Sequence, residues 1–184
     1  MAKYQIITPR ENKESIDVLY GYHSTIFGKV LIGVTTQSIC HISFCNTETS
    51  AIEIIKKEWP QACLKEDRLT TEKIVHNIFD TQLPEKPFSL LVRGTDFQIK
   101  VWQALISIPT GTAISYANIA HIIGKPKAIR ATANAIANNP ISLLIPCHRV
   151  ICKSGKIHKY RWGVERKKAI LDYEFTFTRH NINQ

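Results

Sequence analysis

The sequence predicts an α+β architecture in two parts, a small antiparallel sheet with helices in residues 1–92 followed by a helical part in residues 93–184. Three observations carry this. β-Branched and aromatic residues concentrate between Ile16 and Phe44. Apolar residues recur at helical spacing from Ala51 to Phe79 and again beyond Thr95. The charge also divides unevenly: residues 93–184 carry 14 Lys+Arg against 4 Asp+Glu, whereas residues 1–92 carry 10 against 11. The whole excess behind the net charge of +9 is therefore in the second part. That suits a polyanionic partner docking there, with a merely solvated basic surface as the alternative.

Composition sets the outer bounds. With 44% hydrophobic and 21% charged residues the chain has the balance of a soluble globular protein. No apolar run approaches the ~20 residues of a membrane-spanning helix. The start, Met-Ala-Lys-Tyr-Gln, lacks the apolar core of a signal peptide, so an intracellular protein is expected. The five cysteines, Cys40, Cys45, Cys63, Cys147 and Cys152, are an odd count split between the two parts, which points to free thiols in a reducing compartment.

Taken in order, Ile16 to His23, Lys29 to Thr35 and Ser38 to Phe44 read as three strands joined by short turns at Phe27-Gly28 and Thr36-Gln37. Thr47 or Thr49 can cap a helix that runs to Trp59, just before Pro60. Leu69, Ile74, Val75, Ile78 and Phe79 outline a second helix, and Pro84 and Pro87 mark a linker. Cys40, His41, Cys45, Cys63 and His76 match no zinc-ligand spacing, so no metal is expected. Nor is there a nucleotide-binding glycine motif.

Beyond the linker, Thr95 or Asp96 caps a helix from Phe97 to Ile108, with Phe97, Val101, Trp102, Leu105 and Ile108 on its apolar face. Pro109-Thr110-Gly111 ends it. Ser115 caps a short helix from Tyr116 to Ile123, Gly124 stops that one, and Pro126 opens another reaching about Asn138. Two short helices around a glycine turn form a helix-turn-helix. In the second of them Ile129, Ala133 and Ile136 are expected inside, with Lys127, Arg130, Ala131 and Asn134 outside. That outer face is basic and small, which lets a backbone approach DNA closely with little sequence reading.

The stretch Ile141 to Ile145 reads as a short buried strand or extended strut, because Pro146 fixes its own φ and biases the residue before it toward extended geometry. It ends at Cys147, followed by His148 and Arg149, neighbours of the kind that favour a thiolate.

Pro146-Cys147-His148-Arg149-Val150 resembles the active-site signature of the O6-alkylguanine-DNA alkyltransferases, the methylated-DNA-protein-cysteine methyltransferases. Gly124-Lys125-Pro126-Lys127-Ala128 with Arg130, and then Asn139-Pro140, resemble that family's recognition helix and hinge. Tyr160-Arg161-Trp162-Gly163-Val164 resembles the active-site loop of its bacterial branch. The motifs run in the family's order from Phe97 to Glu174, while before Arg93 only the layout is similar.

The resemblance implies a ribonuclease H-like first domain and a winged helix-turn-helix-like second one. It implies stoichiometric, irreversible transfer of an alkyl group from O6-methylguanine, with O4-methylthymine a further candidate, to Cys147. His148 acts as base through a water and Glu174 orients it. Tyr116 is expected at guanine N3 and the 3′ phosphate, the backbone N–H of Arg161 at O6, and the carbonyls of Cys147 and Val150 at the exocyclic amine. Tyr160 walls the base pocket, Arg130 fills the stack vacated by the flipped base, Lys127 and Asn134 face DNA, and Asn139 is the hinge. The implied partner is double-stranded DNA containing O6-alkylguanine. The protein is expected to be a cytoplasmic monomer that needs no cofactor and touches no membrane.

Thiolate formation alone cannot carry such a reaction. A thiol of pKa ≈ 8.5 is about 3% ionised at pH 7. Lowering it by ~1.5 raises the thiolate share roughly 16-fold while nucleophilicity falls about fivefold, a net gain near threefold. Positioning and leaving-group stabilisation are the larger contributions. The chain departs from the family at His158-Lys159, where a small residue is usual, so a stiffer and more cationic loop is expected. Three rivals are weaker. A non-catalytic alkyltransferase-like protein would lack Cys147, a helix-turn-helix regulator would carry longer base-reading side chains, and a zinc deaminase would need a Pro-Cys-x-x-Cys spacing.

Overall fold

The computed structural model describes residues 4–9, 15–45, 48–79, 88–157 and 159–182. The chain divides into two compact units, Met1–Arg93 with Pro140–Leu144, and Gly94–Asn139 with Ile145–Gln184.

In the first unit β1 (Tyr4–Ile7) is followed by β2 (Asp17–Thr25), β3 (Gly28–Val34) and β4 (Ile39–Phe44), the last three being the expected meander. Leu19 pairs with Val34, and Val30 with Phe44, both antiparallel. The sheet is nevertheless mixed and larger than expected. β5 (Cys63–Glu66) and β6 (Phe88–Leu91) join it with β1 through parallel pairings, giving the order β1-β6-β4-β3-β2-β5. Each added strand has only four residues, too few for an alternating pattern to show.

Helix α1 (Glu48–Glu58) packs on β3 and α2 (Arg68–Phe79) on β2 and β3. Successive β2 residues serve opposite faces. Val18 and Tyr22 join Leu31, Cys40, Ile55 and Trp59 in one buried cluster, while His23 bonds the Thr71 hydroxyl of α2 at 2.8 Å. Leu69, expected on the inner face of α2, is 75% exposed. It sits in the first turn, where Asp67 accepts from the Thr70 N–H at 2.9 Å and so sets the helix start that turns Thr71 inward. The cap expected from Thr47 or Thr49 and the linker at Pro84 and Pro87 lie outside the described residues and side chains.

Pro140–Leu144 belongs to this unit through β4. Ile42 donates to the Pro140 carbonyl at 3.1 Å and accepts from the Ser142 N–H at 2.8 Å, so Ile141 makes one parallel bridge. The expected strand stops there. Leu143 takes φ +67, and Leu144 donates to the Ser142 carbonyl at 2.8 Å, which closes a γ-turn.

The second unit opens with α3 (Asp96–Ile106), started by a reciprocal capping box between Thr95 and Gln98. β7 (Ile114–Ser115) leads into α4 (Tyr116–Ile122), capped in the same way by Ser115 and Asn118. Helix α5 covers Ile129–Ala137 and begins later than expected. Pro126 sits in a turn closed by Ala128 N–H to the Lys125 carbonyl at 2.9 Å, and the first α-helical bond, Thr132 to Ala128, comes after it. Lys127 is therefore in the turn rather than on the helix. The buried face of α5 is Thr132, Ala135 and Ile136, and Ile129, expected inside, is 43% exposed. Trp102 of α3 donates to the Ala135 carbonyl at 2.9 Å and fixes α5 against α3. β8 (Val150–Ile151) pairs in parallel with β7, and α6 (Val164–Ile182) closes the unit.

Candidate active site

Cys147 is presented by two consecutive tight turns. Pro146 (φ −79, ψ 62) sits in an inverse γ-turn closed by Cys147 N–H to the Ile145 carbonyl at 2.7 Å. A single 3-10 turn, Cys147–Arg149, follows, with Val150 N–H donating back to the Cys147 carbonyl. Proline thus fixed φ as expected, but its ψ bends the chain and an extended strut does not form. Val150 then enters β8 opposite Ile114, which brings Tyr116, the first residue of α4, to the same place.

The Cys147 thiol is 4% exposed. The Asn139 amide donates to its sulfur at 3.1 Å and to the Ile145 carbonyl at 2.8 Å. A side-chain bond reaching six residues along the chain is a tie across the loop, not a local Asx-turn. Burial pushes the thiol pKa up, and the Asn139 amide, the Lys167 ammonium and the Tyr160 hydroxyl oppose this only in part. Cys147 therefore rests as a neutral thiol, where the sequence suggested a thiolate favoured by its cationic neighbours.

Those neighbours face elsewhere. Glu174 accepts from His148 Nε2–H at 2.9 Å, from Arg149 Nε–H at 2.9 Å and from Arg149 Nη2–H at 2.7 Å. Arg149 also donates to the Ile108 carbonyl and the Thr110 hydroxyl, which anchors this fork at the end of α3. Burial raises the Glu174 pKa, but the donors from His148 and Arg149 outweigh it and bring it down to about 2. Burial lowers the His148 pKa more than Glu174 raises it, so the ring is neutral at pH 7. With Nε2–H given to Glu174, the bare nitrogen is Nδ1, which has no hydrogen-bonding partner among the described residues. The result is a neutral imidazole, oriented by a carboxylate, next in the chain to a neutral thiol.

A pocket of about 930 Å³ opens onto the sulfur. Ala133, Ile136 and Ala137 of α5 line it, with Tyr116, Cys147, Tyr160, Arg161 and Lys167. The buried Tyr160 hydroxyl has no N or O hydrogen-bond partner among the described residues and lies next to the Cys147 sulfur; burial, then Cys147, hold its pKa well up. Its ring packs edge-on against Trp162 at 5.2 Å. Arg161 reaches the Asn139 carbonyl at 3.4 Å. Arg130, Asn134 and Lys127 are exposed and line no part of the pocket. The Val150 carbonyl, expected to face the ligand, already accepts from Lys167 Nζ at 2.5 Å. His158 lies outside the described residues.

Sequence reasoning missed Lys167 and Cys152. Lys167 is buried, and burial lowers its pKa while the nearby Cys147 and Cys152 raise it. A signal was present, since Lys167, Ile170, Leu171 and Glu174 follow the 3.6-residue period and share the inner face of α6. Cys152 lines the pocket five residues after Cys147, and none of the five cysteines is in a disulfide.

Comparison with known proteins gives the same picture. Residues 96–176 match the family model described as 6-O-methylguanine DNA methyltransferase, DNA binding domain. The inducible methylated-DNA–protein-cysteine methyltransferase of Bacillus subtilis is 39% identical over 156 residues, 82% of this chain and 81% of that protein. The bifunctional transcriptional activator/DNA repair enzyme Ada of Escherichia coli is 36% identical over 168 residues, 90% of this chain and 48% of that protein. The chain thus spans about half the length of the Escherichia coli and Salmonella typhimurium Ada relatives. Among solved structures, Mycobacterium tuberculosis OGT in complex with DNA superposes with a TM-score of 0.71 at 31% identity, covering 86% of this chain and 94% of that one. A buried cysteine tied by Asn139 and backed by a carboxylate-held histidine, inside a sequence and fold shared this widely, makes the chain a member of the methylated-DNA–protein-cysteine methyltransferase family.

Proposed function

We propose that this protein repairs DNA by taking the alkyl group of O6-alkylguanine onto Sγ of Cys147 in a single, irreversible turnover. The observations that carry the reading are a buried Cys147 thiol lining a pocket and, next in the chain, a neutral His148 whose Nε2–H is held by Glu174 and whose Nδ1 is bare. As the base enters, the thiol proton passes through a water to His148 and the sulfur attacks the alkyl carbon. The C–O6 bond breaks and guanine leaves, regaining a proton, so thiol plus O6-methylguanine become thioether plus guanine. Tyr116, at the pocket rim, donates to the departing base, and the Arg161 N–H serves O6. The Cys147 carbonyl accepts from the exocyclic amine; the Val150 carbonyl can do so only with its second lone pair. Tyr160 walls the base. Arg130 fills the stack it leaves, Lys127 and Asn134 contact the duplex, and Asn139 keeps the recognition helix in register with the acceptor loop.

In the same reading residues 1–92 form a ribonuclease H-like domain, and residues 93–184 a winged helix-turn-helix-like domain that binds DNA and accepts the alkyl group. The first is supported by the five-strand stretch β6-β4-β3-β2-β5 with helices, the second by the α4–turn–α5 pair and the β7–β8 ladder. The protein works as a cytoplasmic monomer on double-stranded DNA, and among the described residues no helix is long and apolar enough to cross a membrane. Incubation with duplex DNA containing O6-methylguanine should add one methyl per protein, on Cys147, and Cys147→Ser should bind the duplex without gaining mass. Methyl on Cys152, or several turnovers per protein, would overturn the assignment.

A further inference from the structure

From Phe97 to Val164 the sequence contains no Asp or Glu, so the cations in its middle, from Lys125 to Lys159, have no carboxylate near them in sequence. Arg149 is neutralised by Glu174 of α6. Lys125, Lys127 and Arg130 belong to the turn and helix that the proposed function already uses. Lys153 and Lys156 do not. They lie on a tight turn leaving β8, where Gly155 N–H donates to the Cys152 carbonyl at 2.9 Å and Cys152 N–H to the Lys156 carbonyl at 3.1 Å. The two reciprocal bonds fix both lysine backbones. Gly155 takes φ +78, and a Cβ there would meet nothing within 4 Å, so the tip projects free of the protein.

This turn is part of the pocket rim. Cys152 at its start and Lys159 just beyond it line the pocket, as do Ala133, Ile136 and Ala137 of α5. The Cys152–Lys156 turn is thus continuous with the pocket lining, whereas Lys127 and Arg130 near the start of α5 lie outside that lining. A nucleotide whose base enters the pocket stays joined to its own two phosphates, which must cross this rim.

We propose that Lys153 and Lys156 hold the phosphates of the strand that delivers its base to Cys147, whereas Arg130 acts on the duplex left behind. The division rests on the proposed function, and it assigns the turn to the lesion strand itself, whether or not that strand is paired. Neutralising the turn should therefore cost as much with single-stranded as with duplex DNA.

The test compares the wild type with Lys153→Gln/Lys156→Gln and with Lys153→Arg/Lys156→Arg. Alkyl transfer is measured with free O6-benzylguanine, with a single-stranded oligonucleotide containing O6-methylguanine and with the same oligonucleotide in duplex, across a salt series. Each DNA rate is divided by that variant's own rate with free O6-benzylguanine. The Gln pair should lower this ratio on the order of tenfold at low salt with both DNAs, and flatten the log–log salt slope by about 1.4 with single strands and about 1.8 with duplex. The Arg pair should keep the wild-type slope. An unchanged slope in the Gln pair, a loss confined to duplex, or a flattened slope in the Arg pair would each overturn the proposal. If wild-type Cys147 took no alkyl group from any of the three substrates, the functional reading itself would fail, a result distinct from these.

Discussion

Glu174→Gln keeps the size of the side chain and removes its charge, and the structure sets what that removal is worth. Two carboxylate oxygens serve three donors, at 2.7–2.9 Å, from His148 and Arg149. Gln offers one oxygen and turns an amide N–H toward a donor. The carboxyl pKa falls from its ordinary 4.5 to about 2, which links about 3 kcal/mol of stability to its ionisation. Because the folded value is the lower one, that contribution is complete above the unfolded pKa near 4.5 and is lost as pH falls through about 2. Urea denaturation of the wild type between pH 6 and pH 2 should show a loss of this size beyond any acid sensitivity retained by Glu174→Gln. Chemistry should respond at the other end of the scale. Glu174 is what raises the His148 pKa against burial, so without it the base is weaker and less well held. Transfer from O6-benzylguanine at pH 7 should slow roughly 10- to 100-fold, and the deficit should shrink toward pH 10 as the thiol ionises unaided. Intact-mass measurement of Cys147 alkylation from pH 6 to 10 tests this. Superimposable wild-type and mutant pH profiles would show that Glu174 neither orients nor tunes His148.

Two further substitutions separate binding from chemistry. Arg130→Ala should slow repair in duplex far more than reaction with free O6-benzylguanine, since only the duplex has a base to extrude at a cost of a few kcal/mol, and equal losses would contradict the finger role. Asn139→Ala strips a donor from both the Ile145 carbonyl and the Cys147 sulfur. It should cost about 1–3 kcal/mol in urea denaturation and raise the thiol pKa further; a thiol titration showing an unchanged or lower value would refute the second part.

What was legible in the sequence was whatever local chemistry determines. The β2–β4 runs and the caps at Ser115 and at Thr95, the latter offered alongside Asp96, were readable because strand composition and capping act over three or four residues. β1, β5 and β6 were not, because each exists through a partner far away in the chain. The start of α5 was misplaced because Pro126 suits both a first helical turn and the second position of a β-turn, and the sequence does not decide between them. Pro146 misled similarly, since proline sets φ and leaves ψ open. At the site, Cys147 and His148 stand together in one motif and were readable. Arg149 was read as an activator of the thiolate, although its fork geometry suits a carboxylate better, and Glu174 satisfies it. Lys167 was hidden among the basic residues of α6, and only its phase relative to Ile170 and Leu171 distinguishes it from exposed Lys168.

The resting site also bears on where the catalytic effort is spent. Moving a thiol pKa downward gains only about threefold in net reactivity, because nucleophilicity falls with basicity. A site that keeps Cys147 buried and neutral therefore gives up little rate, and it withholds a thiolate from other electrophiles. Meanwhile His148 Nδ1 and the Tyr160 hydroxyl are buried with no hydrogen bond to a described residue in the resting geometry, and Tyr160 lies next to Cys147. The Tyr160 hydroxyl and the Lys167 charge both favour an anionic Cys147 sulfur over the neutral one present at rest. The polar groups are thus better matched to the charges of the proposed transition state, with the proton on His148 and negative charge passing from sulfur to guanine O6, than to the free protein. On that account these interactions strengthen during transfer, and only interactions stronger in the transition state than in the ground state accelerate a reaction.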